Sequence, residues 1–373
     1  IWAYDEMQNL EARKIPTTAQ IFGEELGNLF TGKYPGGIKK SEIMRRCYRT
    51  PHEIITAAHA LAMGWLRPIG MLAGMSNSEQ WKSLGYEVEG RFIPGQKITI
   101  KRPRENSPNP LSELWKGKLI ELEIYSDRQQ ELTALARQIK NDLRYGGLRP
   151  SGEILVIVLG DFFEAVKLEN YIANFLMKRS IDIFIPGNID CNIIDSKSGD
   201  RDPNKFWCEG AVTISRIHRA KGQEAARVYL VGLDLVAKNE SNLALRNQLF
   251  VALTRTKAWA NLSGIGSYPL YSEIHHVLES QDTFTFIFRR PSKREIGMTD
   301  VTEMLTRYAL GDRNFQNAEL AGAELAGIHL NQANLIGANL RGANLENAQL
   351  VGVKLIAADL SNANLAGANM RNA

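Results

Sequence analysis

The sequence predicts an α/β domain built on a parallel sheet, followed by a solenoid whose sides are five residues long. Three observations carry this. From about Lys118, apolar strand-like runs alternate with helical patterns long enough to cross a sheet. Between residues 211 and 257, two further runs, Val212–Ile214 and Val228–Val231, flank a polar loop, His218-Arg219-Ala220-Lys221-Gly222-Gln223-Glu224, and a helical pattern then delivers Thr254-Arg255. From Phe315 to Met370 a large apolar residue recurs at every fifth position without a break.

Composition sets the limits. At 373 residues and 44% hydrophobic content, the chain can bury a core and form two or three domains, which excludes a disordered protein. Cys47, Cys191 and Cys208 have no C-x-x-C spacing, which argues against a disulfide framework or a zinc site and fits a reducing compartment. No apolar run reaches membrane-spanning length and no signal segment is recognisable, so the expected location is the cytoplasm. The net charge is +4; residues 312–373 hold four basic and five acidic residues, so the excess lies upstream, too mild by itself to argue for nucleic acid.

In chain order, Ile1-Trp2-Ala3-Tyr4 can end a strand and is followed by Asp5-Glu6-Met7-Gln8. Gly27 to Lys33 fits a G-x-x-x-x-G-K phosphate loop, but Tyr34 stands where a Ser or Thr hydroxyl is needed for Mg²⁺ and no buried strand precedes it, so it reads as an ordinary loop. Thr50-Pro51 starts a helix over His52–Met63, with Thr50 as its expected cap. Residues 64–117 are rich in Gly and Pro, with a short strand pattern at Lys97–Lys101 and a loop at Pro103–Pro110. Then come Leu119–Tyr125 (strand), Arg128–Leu143 (helix), Ile154–Leu159 (strand), Phe163–Lys178 (helix) and Ile181–Ile185 (strand), with Trp259–Gly264 as a later strand. The 211–257 stretch reads as a ligand site at the ends of parallel strands. Gly222 lets backbone approach a phosphate or sugar closely, Glu224 suits a ribose hydroxyl, and Arg255, after an apolar helix, can be held rigidly and aimed at a γ-phosphate.

A period of five suits neither a helix, where successive positions would rotate by about 140°, nor a strand of period two. It requires a coil with five residues per side. An Ala lies two residues before the large apolar residue in nine of twelve repeats, with Arg313, Ile328 and Val353 the departures.

These segments resemble two known families. His218 to Glu224 and Phe250-Val251-Ala252-Leu253-Thr254-Arg255-Thr256-Lys257 resemble motifs V and VI of superfamily 1 (UvrD-like) nucleic-acid helicases, in the right order. Asp5-Glu6-x-Gln8 resembles motif II, Gln20-Ile21-Phe22 faintly resembles motif III, and Met44 to Pro51 resembles motif IV with Cys47 in place of Asn. The tail resembles the pentapeptide-repeat family, A-(N/D)-L-x-x. The resemblance implies an ATP-dependent helicase or translocase of a divergent bacterial type, acting on nucleic acid, single-stranded DNA before RNA, with ATP and Mg²⁺ as cofactors. Asp5 would hold the metal and Glu6 would orient the attacking water. Arg49 and Arg255 would meet the phosphates, Gln8, Gln20, Gly222 and Glu224 the nucleotide, and His218 and Lys221 the strand.

The fold implied is a RecA-like parallel-sheet motor domain, with the remnant of a first one, followed by a right-handed quadrilateral β-helix. The expected boundaries are 1–66 for the first motor remnant, 67–117 for a connection, 118–290 for the second motor domain, 291–311 for a linker and 312–373 for the β-helix. Family members carry a phosphate loop upstream of motif II, so the expectation is a piece of a longer protein, inactive alone. A reading from another class is an interaction protein that acts through the β-helix, which would be a docking surface for a protein partner, beside a degenerate motor half.

Overall fold

A computed structural model describes residues 45–72, 78–187, 205–289 and most of 304–373. Asp5, Glu6, Gln8, Gln20 and the loop at 27–34 lie outside the described residues. The described residues up to 289 form one compact unit and those from 304 onward a second.

The described part of the first unit contains α1 (His52–Met63) and then two strands, β1 (Glu87–Glu89) and β2 (Lys97–Lys101). The alternating part follows: β3 (Ile120–Tyr125), α2 (Arg128–Arg144), β4 (Ile154–Val158), α3 (Phe162–Met177), β5 (Ile183–Phe184), β6 (Val212–Arg216), a one-turn α4 (Ile217–Ala220) and β7 (Ala225–Val231). It closes with α5 (Leu233–Ala237), α6 (Leu243–Leu253), β8 (Thr256–Ile265), α7 (Pro269–Ser280) and β9 (Thr283–Ile287). Six strands form one sheet in the order β3-β8-β7-β4-β6-β5, and every neighbouring pair is parallel.

The strand sequences dictate two covered faces. In β4, Leu155 and Ile157 pack into one core while Ile154, Val156 and Val158 pack into the other. In β7 the same alternation sends Val228 and Leu230 one way and Tyr229 and Val231 the other. A strand buried on both sides must be apolar throughout, which is why β4 reads Ile-Leu-Val-Ile-Val. Helices α2 and α3 contribute Leu132, Ile139, Leu168 and Ile172 to one core; α1, α6 and α7 contribute Leu61, Leu249 and Ile274 to the other. Side chains satisfy the free amides at the helix starts: Asp127 accepts from Gln130 N, Asp161 from Glu164 N, and Asn242 from Ala244 N and Leu245 N.

Two sequence expectations change. Thr50 does not cap α1: it is fully buried and its Oγ1 has no hydrogen-bond partner. The backbone N–H of His52 donates instead to Ser112 Oγ at 3.1 Å, because Pro51 occupies the capping position and Ser112 is folded in beside it. Residues 64–117 are more than a connection. Strands β1, β2 and β9 form an antiparallel sheet, with Lys97 opposite Ile287 and Lys101 opposite Thr283. Trp65 anchors this region, its ring meeting Trp81, Tyr86 and Phe284 edge to face at 5.0–5.4 Å.

In the second unit, parallel bridges join residues twenty apart: Asn314 to Asn334, Asn334 to Lys354, Asn344 to Asn364. Four five-residue sides therefore make one coil. Leu330, Leu335, Leu340, Leu345 and Leu350 are at most 1% exposed, and Ala333, Ala338, Ala343 and Ala348 are fully buried. Where Asn or Asp precedes the Leu, it has a definite task. Oδ1 of Asn334, Asn339, Asp359 and Asn364 accepts from the backbone N–H two residues on, which sets the corner. Two residues after Leu the backbone is left-handed, at Gly322 (φ +67) but also at Gln332 (φ +61) and Ala357 (φ +59). No helix among the described residues is long and apolar enough to cross a membrane.

Candidate functional site

Two neighbouring parallel strands build the site. Glu224 immediately precedes β7 and Arg255 immediately precedes β8; Ala225 pairs with Thr256, and Ala225 N donates to Arg255 O at 3.0 Å. Residues 31 apart in sequence are thus fixed side by side. These are the amino ends of the strands, whereas the open crevice of a doubly wound sheet lies at the carboxyl ends.

Arg49 enters from the loop before α1. Its Nη1 stands 3.1 Å from Glu224 Oε2, and its Nη2 donates to Thr254 O at 2.9 Å. Asn109 Nδ2 donates to Arg49 O at 2.6 Å and ties that loop down. Lys257 Nζ lies 2.8 Å from Glu224 Oε1. The hydrogen bond from Lys257, then the charges of Lys257 and Arg49, hold the Glu224 carboxyl below its usual range, so it is ionised at neutral pH. Two cations on one carboxylate leave an excess positive charge. Arg49 and Glu224 side chains are 41% and 37% exposed, so an anion can reach them.

The expected site residues fare differently. Gly222 adopts φ +87 and a Cβ there would meet nothing within 4 Å, so the backbone is open to close approach. His218 on α4 and Lys221 after it are exposed, which excludes a core role for His218. His52 and His59 are the buried histidines among the described residues, and His59 Nδ1 is 2.8 Å from Tyr86 Oη. Both oxygens of Glu224 are engaged by cations, so a ribose hydroxyl would have to share them with Arg49 and Lys257. Arg255 is the larger departure. It is 2% exposed, its Nε donates to Val251 O at 3.0 Å and its Nη2 donates to Thr254 Oγ1 at 3.1 Å. The last turn of α6 leaves carbonyls without helical partners, and the guanidinium folds back to satisfy one. Arg49 is therefore the exposed arginine of the site.

Lys257 and Trp207 were not among the expected site residues. Trp207 Nε1 donates to Gln223 Oε1 at 3.2 Å and supports the loop beside Gly222. A Lys at the second residue of an apolar strand was the available signal for Lys257; nothing in the sequence marks Trp207. Among the described residues no group of His, Cys, Asp and Glu is arranged to hold a metal ion.

Residues 211–263 match the family model of the UvrD-like helicase C-terminal domain, and residues 314–350 and 348–373 match pentapeptide repeats. No curated protein matches the chain. Among solved structures, the C-terminal domain of a possible DNA helicase from Lactobacillus plantarum WCFS1 is similar at 16% identity, over 43% of this chain and 84% of that one, with a TM-score of 0.31. A pentapeptide repeat protein from Nostoc PCC 7120 is similar at 32% identity, over 19% of this chain and 74% of that one, with a TM-score of 0.12. At those scores the structural likenesses add nothing to the fold described above. Two family matches thus lie in chain order, the UvrD-like helicase C-terminal domain on the segment that carries the Glu224–Lys257 cluster and pentapeptide repeats on the twenty-residue coils.

Proposed function

We propose that this chain belongs to an ATP-driven translocase or helicase of superfamily 1 that acts on single-stranded nucleic acid, DNA before RNA. The observation that supports it best is Arg49. One guanidinium from the motif IV segment bonds both Glu224 of motif V and the Thr254 carbonyl of motif VI, which joins three motifs spread over more than 200 residues. ATP, when bound with Mg²⁺, supplies the phosphoryl group whose transfer to water drives the cycle.

Arg49 and Lys257 would hold phosphate oxygens and exchange Glu224 for them, Glu224 and Gly222 would border the sugar, and His218 and Lys221 would touch the strand. Arg255 would act through the order of the α6 end or reach the phosphate after a rearrangement. Asp5, Glu6, Gln8 and Gln20 would supply the metal, water and nucleotide contacts. The pentapeptide coils, as a right-handed four-sided β-helix, would be a docking module for a protein partner, since they have their own core.

The test is strand-stimulated ATP turnover of the full-length protein. Arg49→Ala is expected to lower turnover at least a hundredfold with little change in melting temperature, because an exposed ion pair contributes only about 0–1 kcal/mol to folding. One observation favours the interaction-protein reading, the burial of Arg255 on its own helix. A full-length protein without strand-stimulated turnover that still captures a partner through the coils would establish that reading instead.

A further inference from the structure

The carboxyl ends of β4, β5 and β6 carry a surface that the nucleotide site does not use. In register, Val158 of β4 stands beside Arg216 of β6. The chain leaves β4 through Leu159-Gly160-Asp161 and places Phe162 and Phe163 at the start of α3, where they are 59% and 49% exposed. The two rings stand edge to face at 5.5 Å. The buried face of α3 is made by Ala165, Leu168, Ile172, Ala173, Phe175 and Leu176, so neither ring is needed to seat the helix. A single exposed aromatic is ordinary. Two adjacent ones, the first under a guanidinium, are a surface held in water at a cost.

Beside them the charge is positive. The Arg216 guanidinium lies 5.1 Å from the Phe162 ring centre, and buried Glu169 fixes the residue, Oε1 accepting from the Arg216 backbone N–H and Oε2 standing 3.1 Å from Nε. Arg219 is set on the loop after β5, donating to Pro186 O at 2.5 Å and lying where a Cβ on Gly187 would have to be. From Arg216 to Lys221 the chain carries Arg216, His218, Arg219 and Lys221 and no carboxylate. Asp161 and Glu164 sit at the helix start itself, with Asp161 Oδ1 accepting from Glu164 N. Those carboxylates repel a phosphate from the ring side and leave the 216–221 side for it.

We infer that Phe162 and Phe163 form a stacking platform for unpaired bases of a single strand whose phosphates run over Arg216 to Lys221. The inference rests on the proposed strand-binding function and adds the residues that read the bases' faces. Stacking suits a translocating protein because every base has a π-face, so grip does not depend on sequence.

The experiment is fluorescence anisotropy of the full chain with a labelled oligothymidylate of about 16 nucleotides, and with the same backbone made abasic. Phe162→Leu and Phe163→Leu are expected to weaken oligothymidylate binding about tenfold each, Phe163→Trp to retain it, and the abasic strand to bind all variants alike. Leu keeps an apolar side chain in place, so unchanged melting separates stacking from misfolding. Equal affinity of wild type and both Leu variants for oligothymidylate overturns the platform alone. A wild-type chain that binds neither strand overturns the platform together with the strand-binding function.

Discussion

Arg49 Nη1 stands 3.1 Å from Glu224 Oε2 across 175 residues of chain, and Lys257 holds the other oxygen of the same carboxylate at 2.8 Å. Such a clamp keeps two cations together near an exposed glycine turn until an anion with more than one oxygen replaces the carboxylate. Lys257→Ala is therefore expected to weaken a non-hydrolysable ATP analogue about fivefold in the full-length protein, with melting unchanged within a few degrees. Raising the salt concentration should shrink the difference, since exposed charges are screened. Isothermal titration at two ionic strengths checks both.

Arg255 gives a second prediction. Because its guanidinium donates to Val251 O and Thr254 Oγ1 inside the protein, Arg255→Ala removes two buried hydrogen bonds and the packing of a buried side chain and should cost about 1–3 kcal/mol of stability as well as turnover. Arg255→Lys keeps the stem but lacks the planar fork, so it should fold nearly as well and still lose about 10³–10⁵ in turnover if Arg255 meets the γ-phosphate. Turnover of the Lys variant near wild type would assign Arg255 to structure alone.

A third concerns the bond between α6 and α7. Arg246 is fully buried, pairs with Glu273 through two parallel hydrogen bonds at 3.0 and 2.8 Å, and also donates to Leu61 O of α1. Burial pushes the Glu273 carboxyl up while Arg246 pulls it down. Removing one partner strands the other charge, so Glu273→Ala should lower the unfolding free energy by about 3–5 kcal/mol in urea. Arg246→Met with Glu273→Leu should be milder than either single change. A double variant worse than both would show that the link to Leu61 O matters more than the pair.

Acid stability supplies a fourth. His59 is buried against Tyr86 and Phe250 with Arg102 nearby, and burial lowers its pKa to about 3. The unfolded chain takes up that proton near pH 6.5 while the folded chain does not, so stability falls as pH drops through the interval from 6.5 towards 3. His52 is shifted the same way by burial. The urea midpoint between pH 7 and 5 should therefore fall less steeply in His59→Gln than in wild type. Parallel slopes would mean that His59 gains its proton within the fold.

The coils yield a fifth. Met304 and Tyr308 pack with the leucine core of the coils, and Tyr308 Oη donates to Asn331 O at 3.0 Å. A deletion starting at Asp312 leaves those apolar side chains uncovered, whereas one starting at Met304 removes the whole core. The Met304 deletion should leave strand-stimulated turnover within about threefold and stay soluble; the Asp312 deletion should aggregate more. Loss of turnover in the Met304 deletion, with intact melting, would tie the coils to the motor.

Periodicity was legible because it records which face is buried, and burial is a local demand on each strand or coil. The all-apolar run of β4, the alternating elements from Ile120 to Phe184 and the interval of five after Phe315 each report their own surroundings, so the parallel sheet and the coils followed from sequence alone. The order of the segments that hold Arg49, Glu224 and Arg255 was legible too. Partners across long stretches were not, since nothing local records them. That Ser112 closes the start of α1, that β9 pairs with β2, that Lys257 shares Glu224 with Arg49, and that Arg255 turns inward all depend on how buried faces fit together. A guanidinium reaches several ångströms in any direction, and only the packed chain decides whether it meets water or a carbonyl of its own helix.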